Sequence, residues 1–197
     1  MTYKDITKNS EVLQLIKKGS DNLKVLGYTD HSEKHTSIVA KNAAYILSEL
    51  DYDKHTIEMA KIAGFLHDVG NAINRNRHAE YGALLVNDIL KQTDIDMQDR
   101  IDIVSAIANH DESTGGANDA LSAALIIADK CDVRRNRVNQ KDKTLFDIHD
   151  RVNYAVTRNK LRLDKEKKVI SLNLQIDENI VFIYSEFIQT VLKLAGC

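Results

Sequence analysis

From about residue 10 to residue 156 the apolar residues of this chain recur every three or four positions, segment after segment. From Leu161 to Ile176 they recur every second position. The first spacing makes one face of an α-helix apolar, and the second makes one face of a β-strand apolar. A chain patterned in this way buries its apolar residues by packing helix on helix, with one hairpin added late. Proline, which breaks such helices, is absent. With 197 residues, 43% of them hydrophobic, the chain carries enough apolar surface for one globular domain with a real core.

The spacing predicts a helix over residues 10–26, with Val12, Leu15, Ile16 and Leu23 or Leu26 inward and Gly27 at its end. A polar link, residues 28–32, leads to a second helix over about 33–50. Val39, Ala43, Ile46, Leu47 and Leu50 share its face, and His35 lies on the same stripe. Asp53 caps a third helix, whose run Met59, Ile62, Ala63, Leu66 ends in His67-Asp68; Gly70 is expected to turn the backbone away. A fourth opens at His78 and reaches about Leu90, with Tyr81, Leu84, Leu85 and Ile89 inward. Asp96 and Asp99 start a fifth, over about 97–109. A long helix is expected from Ala117 through Asp129 towards Arg137, and a shorter one over 147–156. The alternating runs on either side of residues 164–167 predict a β-hairpin, and a closing helix is expected over 179–194.

Charge and cysteine content exclude several classes. The formal net charge is −2 with acids and bases interleaved, so the chain lacks the basic excess of a nucleic-acid or membrane-surface protein. Cys131 and Cys197 lie far apart in sequence and read as two free thiols in a reducing cytosol, hence a cytoplasmic location. The start carries no apolar signal region, and no apolar run approaches the roughly 18 residues of a membrane span.

The polar residues at the helix ends are what point to chemistry. His35, His67 with Asp68, His78, His110 and Asp129 each fall at or near the end of a different expected helix. A helical bundle can bring such residues into one pocket. Neutral imidazole and carboxylate suit first-row divalent metals, and the lack of cysteine beside them argues against a structural zinc site. Six ligands are more than one ion needs while it keeps an open position; two ions sharing Asp68 use them better.

The order His35, His67-Asp68, then Asp129 within Ala128-Asp129-Lys130, resembles the HD superfamily of metal-dependent phosphohydrolases over about residues 29–138. The flanking text agrees: His35-Thr-Ser-Ile-Val39, Leu66-His67-Asp68-Val69-Gly70 and Ile126-Ile127-Ala128-Asp129. His78-Ala-Glu-Tyr-Gly82-Ala83 and Asn109-His110-Asp111-Glu112 resemble the added histidines of its dinuclear branches. The resemblance implies a mainly α, HD-type helical bundle with a small C-terminal β-hairpin. Residues 1–28 would form an N-terminal helix packed on the core, 29–138 the metal-binding core, and 139–197 an extension of the same globular domain. It implies that His35, His67, Asp68 and Asp129 hold one divalent metal (Mn, Fe, Mg, Co or Ni), and that Asp68 bridges to a second held also by His78 and His110. Such ions pull the pKa of water from about 15.7 towards roughly 7, giving hydroxide for in-line attack on phosphorus.

The resulting expectation is hydrolysis of a phosphomonoester or phosphodiester, a small-molecule substrate in the nucleotide class. Asp68, Lys130 and Glu112 are the catalytic candidates. Lys130 either contacts a phosphate or protonates the leaving group, or is a helix-surface lysine; Glu112 is either a proton relay or a surface residue. Arg75 and Arg77, in the loop between ligands, either clamp phosphates bidentately or stay solvated, and His31 is placed at the pocket mouth. Arg134, Arg135 and Arg137 read as ion-paired with nearby acids, His55 and His149 as structural, and residues 147–151 as a polar helix start. The Gly-Tyr-Pro signature of cyclic-di-GMP phosphodiesterases is missing after His110. The same ligands would also serve a di-iron HD-type oxygenase, or a regulatory protein that binds metal or nucleotide without turnover. An exposed strand edge is a pairing surface, which gives the hairpin and last helix the character of a homodimer contact.

Overall fold

A computed structural model describes residues 1–180. Among these, the α-helices are α1 (Tyr3–Ile6), α2 (Ser10–Val25), α3 (Glu33–Glu49), α4 (Lys54–Leu66), α5 (His78–Lys91), α6 (Met97–Ala108), α7 (Ala120–Lys130) and α8 (Ile148–Ala155). Strands β1 (Val156–Asp164) and β2 (Val169–Ile176) pair antiparallel as a two-stranded sheet. The chain is therefore mainly helical with a C-terminal hairpin. Most helices begin on a side-chain cap: Asn9, Ser32, Asp53, Asp96, Asp119 and Asp147 each accept from a backbone N–H of the turn that follows. None of the described helices is long and apolar enough to cross a membrane.

Helix α4 is the centre of the bundle, buried from Met59 through Leu66 except at Lys61 and touching α3, α6 and α7. Gly64 lets α3 come close, because a Cβ there would stand 2.6 Å from the Cα of Ala40. Val39, Ala43, Ile46 and Leu47 from α3, Ile103 and Ile107 from α6, and Leu121, Ala124, Leu125 and Ala128 from α7 complete the core. Ile6 of the short α1 is fully buried in it, and Tyr3 meets Phe65 edge-on at 5.8 Å. That first helix has no counterpart among the sequence expectations, since four residues are too few to show a period.

Past α4 the chain makes a 3-10 turn, Val69–Ala72, rather than swinging away on a left-handed glycine. Gly70 is required for another reason: a Cβ on it would overlap the carbonyl oxygen of His78 and crowd the amide of Gly82. This pressure also sets the phase of α5. Its buried side carries His78, Ala79, Gly82, Ala83 and Val86, whereas Leu84, expected inward, is 65% exposed. Of the alternatives Leu23 and Leu26, Leu23 is the buried one, whereas Leu50, expected inward, is an exposed helix C-cap.

Helix α7 starts later than expected and stops at Lys130, without running on to Arg137. The chain bends there and forms a second short 3-10 turn, Arg135–Arg137, held by side chains that fold back on Asp132. The hairpin has the expected alternation: Leu161 pairs with Leu172 and Leu163 with Ile170, and Leu161 and Leu163 pack on the helical core. The closing helix expected over 179–194 falls, after its first two positions, outside the described residues, as does Cys197.

Candidate metal centre

Five chain segments deliver six ligand-type side chains to one place. His35 stands in the first turn of α3, His67 and Asp68 follow α4, His78 opens α5, His110 lies two residues past α6, and Asp129 is in the last turn of α7. All are buried except Asp129, which is partly so. His35 Nε2 is 3.2 Å from Asp129 Oδ1 and 3.6 Å from Asp68 Oδ2. His67 Nε2 is 3.3 Å from Asp68 Oδ2 and 3.7 Å from Asp129 Oδ1. On the other side of Asp68, Oδ1 is 3.6 Å from His78 Nε2, which is 3.1 Å from His110 Nε2.

The hydrogen bonds show which ring nitrogens are free. A carbonyl oxygen only accepts, so each Nδ1 bonded to one carries the proton. His67 Nδ1 donates to Gly64 O (2.9 Å), His78 Nδ1 to Arg75 O (3.2 Å) and His110 Nδ1 to Ile107 O (2.7 Å). His35 Nδ1 donates to the Asp132 carboxylate at 2.8 Å. A neutral ring held this way presents its Nε2 lone pair inward, the arrangement that metal-binding histidines use.

The buried atoms His35 Nε2, His67 Nε2 and Asp68 Oδ2 have no hydrogen-bond partner. Buried polar atoms are rarely left so, and here three of them converge on one point. Donors bound at about 2.0–2.2 Å stand about 3–3.6 Å apart around a tetrahedral or octahedral ion. The spacings of 3.2–3.7 Å match that separation. His35, His67 and Asp129 form one metal-competent group, and His67, Asp68 and His110 a second. The two groups share His67, and the residues present therefore fit a divalent cation.

Electrostatics agree with that assignment. Burial raises the Asp68 and Asp129 carboxyls, but His67 beside Asp68, and Lys130 with His35 and His67 around Asp129, hold both well below the usual carboxylate range. Burial works against the His67 imidazolium, yet Asp68 and Asp129 outweigh it and hold its pKa up at about 10. Burial, joined by the charge on His67, pushes His110 down to about 3. Burial likewise lowers His78 and takes His31 to about 3. The site is thus two carboxylates and mostly neutral imidazoles, with one proton held where a cation would compete for it.

A cavity of about 220 Å³ opens over this group, lined by Asp68, His78, His110 and Asp129 and by His31, Arg75, Glu112 and Lys130. His31 packs edge-on to His35 at 5.4 Å. The Arg75 guanidinium lies 5.5 Å from the Tyr28 ring centroid, with Nη1 3.4 Å from both Asn71 Oδ1 and His78 Nε2. Arg77 is not brought to the cavity: it caps α5 in a left-handed conformation, φ 59°, with its side chain in solvent. Lys130 Nζ bridges Glu112 at 2.6 Å and Asp129 at 3.1 Å. Burial lowers the Lys130 pKa, but Asp129 and Glu112 outweigh it and raise it above the usual lysine value.

Other residues join without having been expected. Asn71 Nδ2 donates to Asp68 Oδ1 at 2.8 Å, and Asp132 anchors His35. Each lies three positions after a ligand aspartate, a spacing that could have marked them. His149 and Asp147, read as structural and as a polar helix start, line the far wall of the cavity, with Asp147 also capping α8. His55 is exposed and pairs with Asp99 at 2.7 Å, away from the cavity. Arg134, Arg135 and Arg137 are engaged with Asp132, Asp177 and backbone carbonyls.

The family model described as the HD domain matches residues 33–152, which run from α3 into α8. The uncharacterized protein MJ1020 of Methanocaldococcus jannaschii is 26% identical over 222 aligned positions, covering 100% of this chain and 84% of that protein. A crystal structure at 1.45 Å of a predicted HD superfamily hydrolase from an uncultured Thermotogales bacterium superposes with a TM-score of 0.51. That match has 20% identity and covers 94% of this chain and 90% of the other, and it shows a shared fold.

Proposed function

The chain belongs to the HD domain family, and from that premise we propose that it is a metal-dependent phosphohydrolase acting on a phosphomonoester or phosphodiester, nucleotides being the first class to test. The observation that carries the reading is the convergence of His35 Nε2, His67 Nε2 and Asp68 Oδ2, buried and without hydrogen-bond partners. A hydrolase is also what the Thermotogales protein of the same fold is predicted to be.

His35, His67, Asp129 and Asp68 Oδ2 would hold one cation; Asp68 Oδ1, His78 and His110 would hold another. When bound, divalent cations supply an activated water and positive charge for the phosphoryl oxygens. The chain's own residues do the rest. Arg75, steadied on the Tyr28 ring at the cavity wall, offers a planar fork to non-bridging oxygens. Lys130 keeps its proton at neutral pH because Asp129 and Glu112 hold it, so it brings a positive charge to the cavity wall, where it would meet a phosphoryl oxygen or protonate the leaving group. Glu112, its carboxylate 58% exposed at the cavity, is the group placed to exchange a proton with solvent.

The test is hydrolysis of p-nitrophenyl phosphate, its bis ester and a nucleotide panel with added manganese. Turnover that stops on chelation and returns with metal supports the reading. Oxygen uptake with mixed-valent iron and no ester hydrolysis would replace it with the oxygenase. Metal retention without turnover of any ester would leave a regulatory protein.

A further inference from the structure

Three of the four imidazoles in the centre set their orientation within their own turn, each Nδ1–H reaching the carbonyl three residues back. His35 is held differently. Three residues back from it lies Ser32, the N-cap of α3, whose carbonyl accepts from the amide of Thr36 and not from the His35 ring. His35 Nδ1 donates instead to Oδ2 of Asp132, 97 residues further along the chain, at 2.8 Å.

Asp132 is only 1% exposed, and every one of its acceptors is used. Oδ1 accepts from Arg134 Nε at 2.8 Å, and Oδ2 also accepts from Arg134 Nη2 at 3.2 Å. Its backbone carbonyl accepts from Arg137 Nη1 at 3.0 Å, while Arg137 Nε reaches the carbonyl of Asp30 just before α3. The Arg134 amide donates to Asn153 Oδ1 of α8. A buried carboxylate with this much support is held in one position, and a histidine bonded to it is held with it.

Resting on the reading of His35, His67, Asp68 and Asp129 as a cation site, we infer that Asp132 is a positioning residue of the metal centre. It fixes the Nδ1–H form of His35 and aims Nε2 at Asp68 and Asp129, and Arg134 and Arg137 in turn hold the carboxylate. The bend that ends α7 is then part of the metal centre and not a linker to the C-terminal segment.

The test compares wild type with Asp132→Leu, which removes the acceptor and keeps the branch at Cγ, and Asp132→Asn, which keeps an acceptor oxygen. Metal titration should show affinity at the His35 position falling about 10–100-fold in Asp132→Leu and less in Asp132→Asn, with the His78–His110 position unchanged. In metal-free protein, the slowly exchanging Nδ1 proton of His35 should be visible by NMR and vanish in Asp132→Leu, with the other ring protons kept. An equal fall at both positions, unchanged affinity, or persistence of that ring proton in Asp132→Leu overturns the inference. If Asp132→Leu does not fold, Arg134→Gln should lower affinity a few-fold at the His35 position alone, and no change would overturn it. A wild type that takes up no cation overturns the metal reading itself; the ring proton then shows whether the Asp132 contact exists apart from it.

Discussion

Nε2 of His78 and Nε2 of His110 face each other at 3.1 Å, both as lone pairs, because each ring spends its Nδ1–H on a backbone carbonyl. Lone pairs so placed repel unless a proton or cation comes between them. Asp68 Oδ1, 3.6 Å from His78, supplies the negative charge a cation needs. His78→Ala should therefore lose the second ion first, with its affinity down at least about 100-fold, while the first is kept. Elemental analysis of dialysed protein reads this directly, and an unchanged stoichiometry would count against a dinuclear site.

Substitution of His67 or Asp68 by alanine should remove metal and activity together. His67 and Asp68 both belong to the orphaned group, so neither can be lost without breaking it. We expect turnover to fall at least about a thousandfold. Full activity in Asp68→Ala would refute the role given to that carboxylate.

Metal loading should release protons. His67 stands at about 10 in the folded metal-free chain against about 6.5 unfolded, so a cation displaces a proton from it throughout that window. Near pH 7.5 we expect about one proton released, with His110, already neutral, releasing none. Affinity should climb about tenfold per pH unit between roughly 6.5 and 10. The sign for stability is the reverse: the contribution of His67 to the metal-free fold is full below pH 6.5 and is lost as pH rises through 10. Calorimetry in buffers of different ionisation enthalpy counts the protons, and a count near zero would sink the prediction.

Arg75 and Arg77 should separate cleanly. Arg75 lines the cavity and Arg77 does not. Arg75→Ala should raise KM about tenfold with metal content unchanged, as loss of a charge-assisted phosphate contact does. Arg77→Ala should leave KM within about twofold, and a matching rise there would mean the loop rearranges around substrate.

Gly64→Ala should destabilise the bundle, since the added methyl meets the α3 backbone at Ala40. Overpacking of this kind costs about 1–3 kcal/mol, and each kcal/mol lowers Tm by about 2–4 °C at this size. Thermal unfolding of the metal-free variant measures it; an unchanged Tm would show that the helices move apart freely.

Helices α2 to α8 and the hairpin are legible in the sequence because each carries its own period, and five of the six candidate ligand positions because they end or open an apolar-faced helix. What is not legible depends on neighbours far along the chain. Leu84 reads as inward by spacing alone, but Gly70 pressing on Gly82 turns the small-residue side of α5 to the interior. Nothing in Asp129-Lys130-Cys131-Asp132 announces a helix end; the end comes with Asp132 engaging His35, 97 positions earlier. Arg77 reads as either a phosphate clamp or a solvated loop charge from its place between Asp68 and His78, and its left-handed backbone and exposed side chain give the second.

The local carbonyl contacts of His67, His78 and His110 make those three imidazoles portable: a four-residue segment brings its own ring orientation to any scaffold that accepts it. His35 is not portable in this way. Anyone grafting this centre onto a new bundle would have to import a remote aspartate and its arginines along with the imidazole.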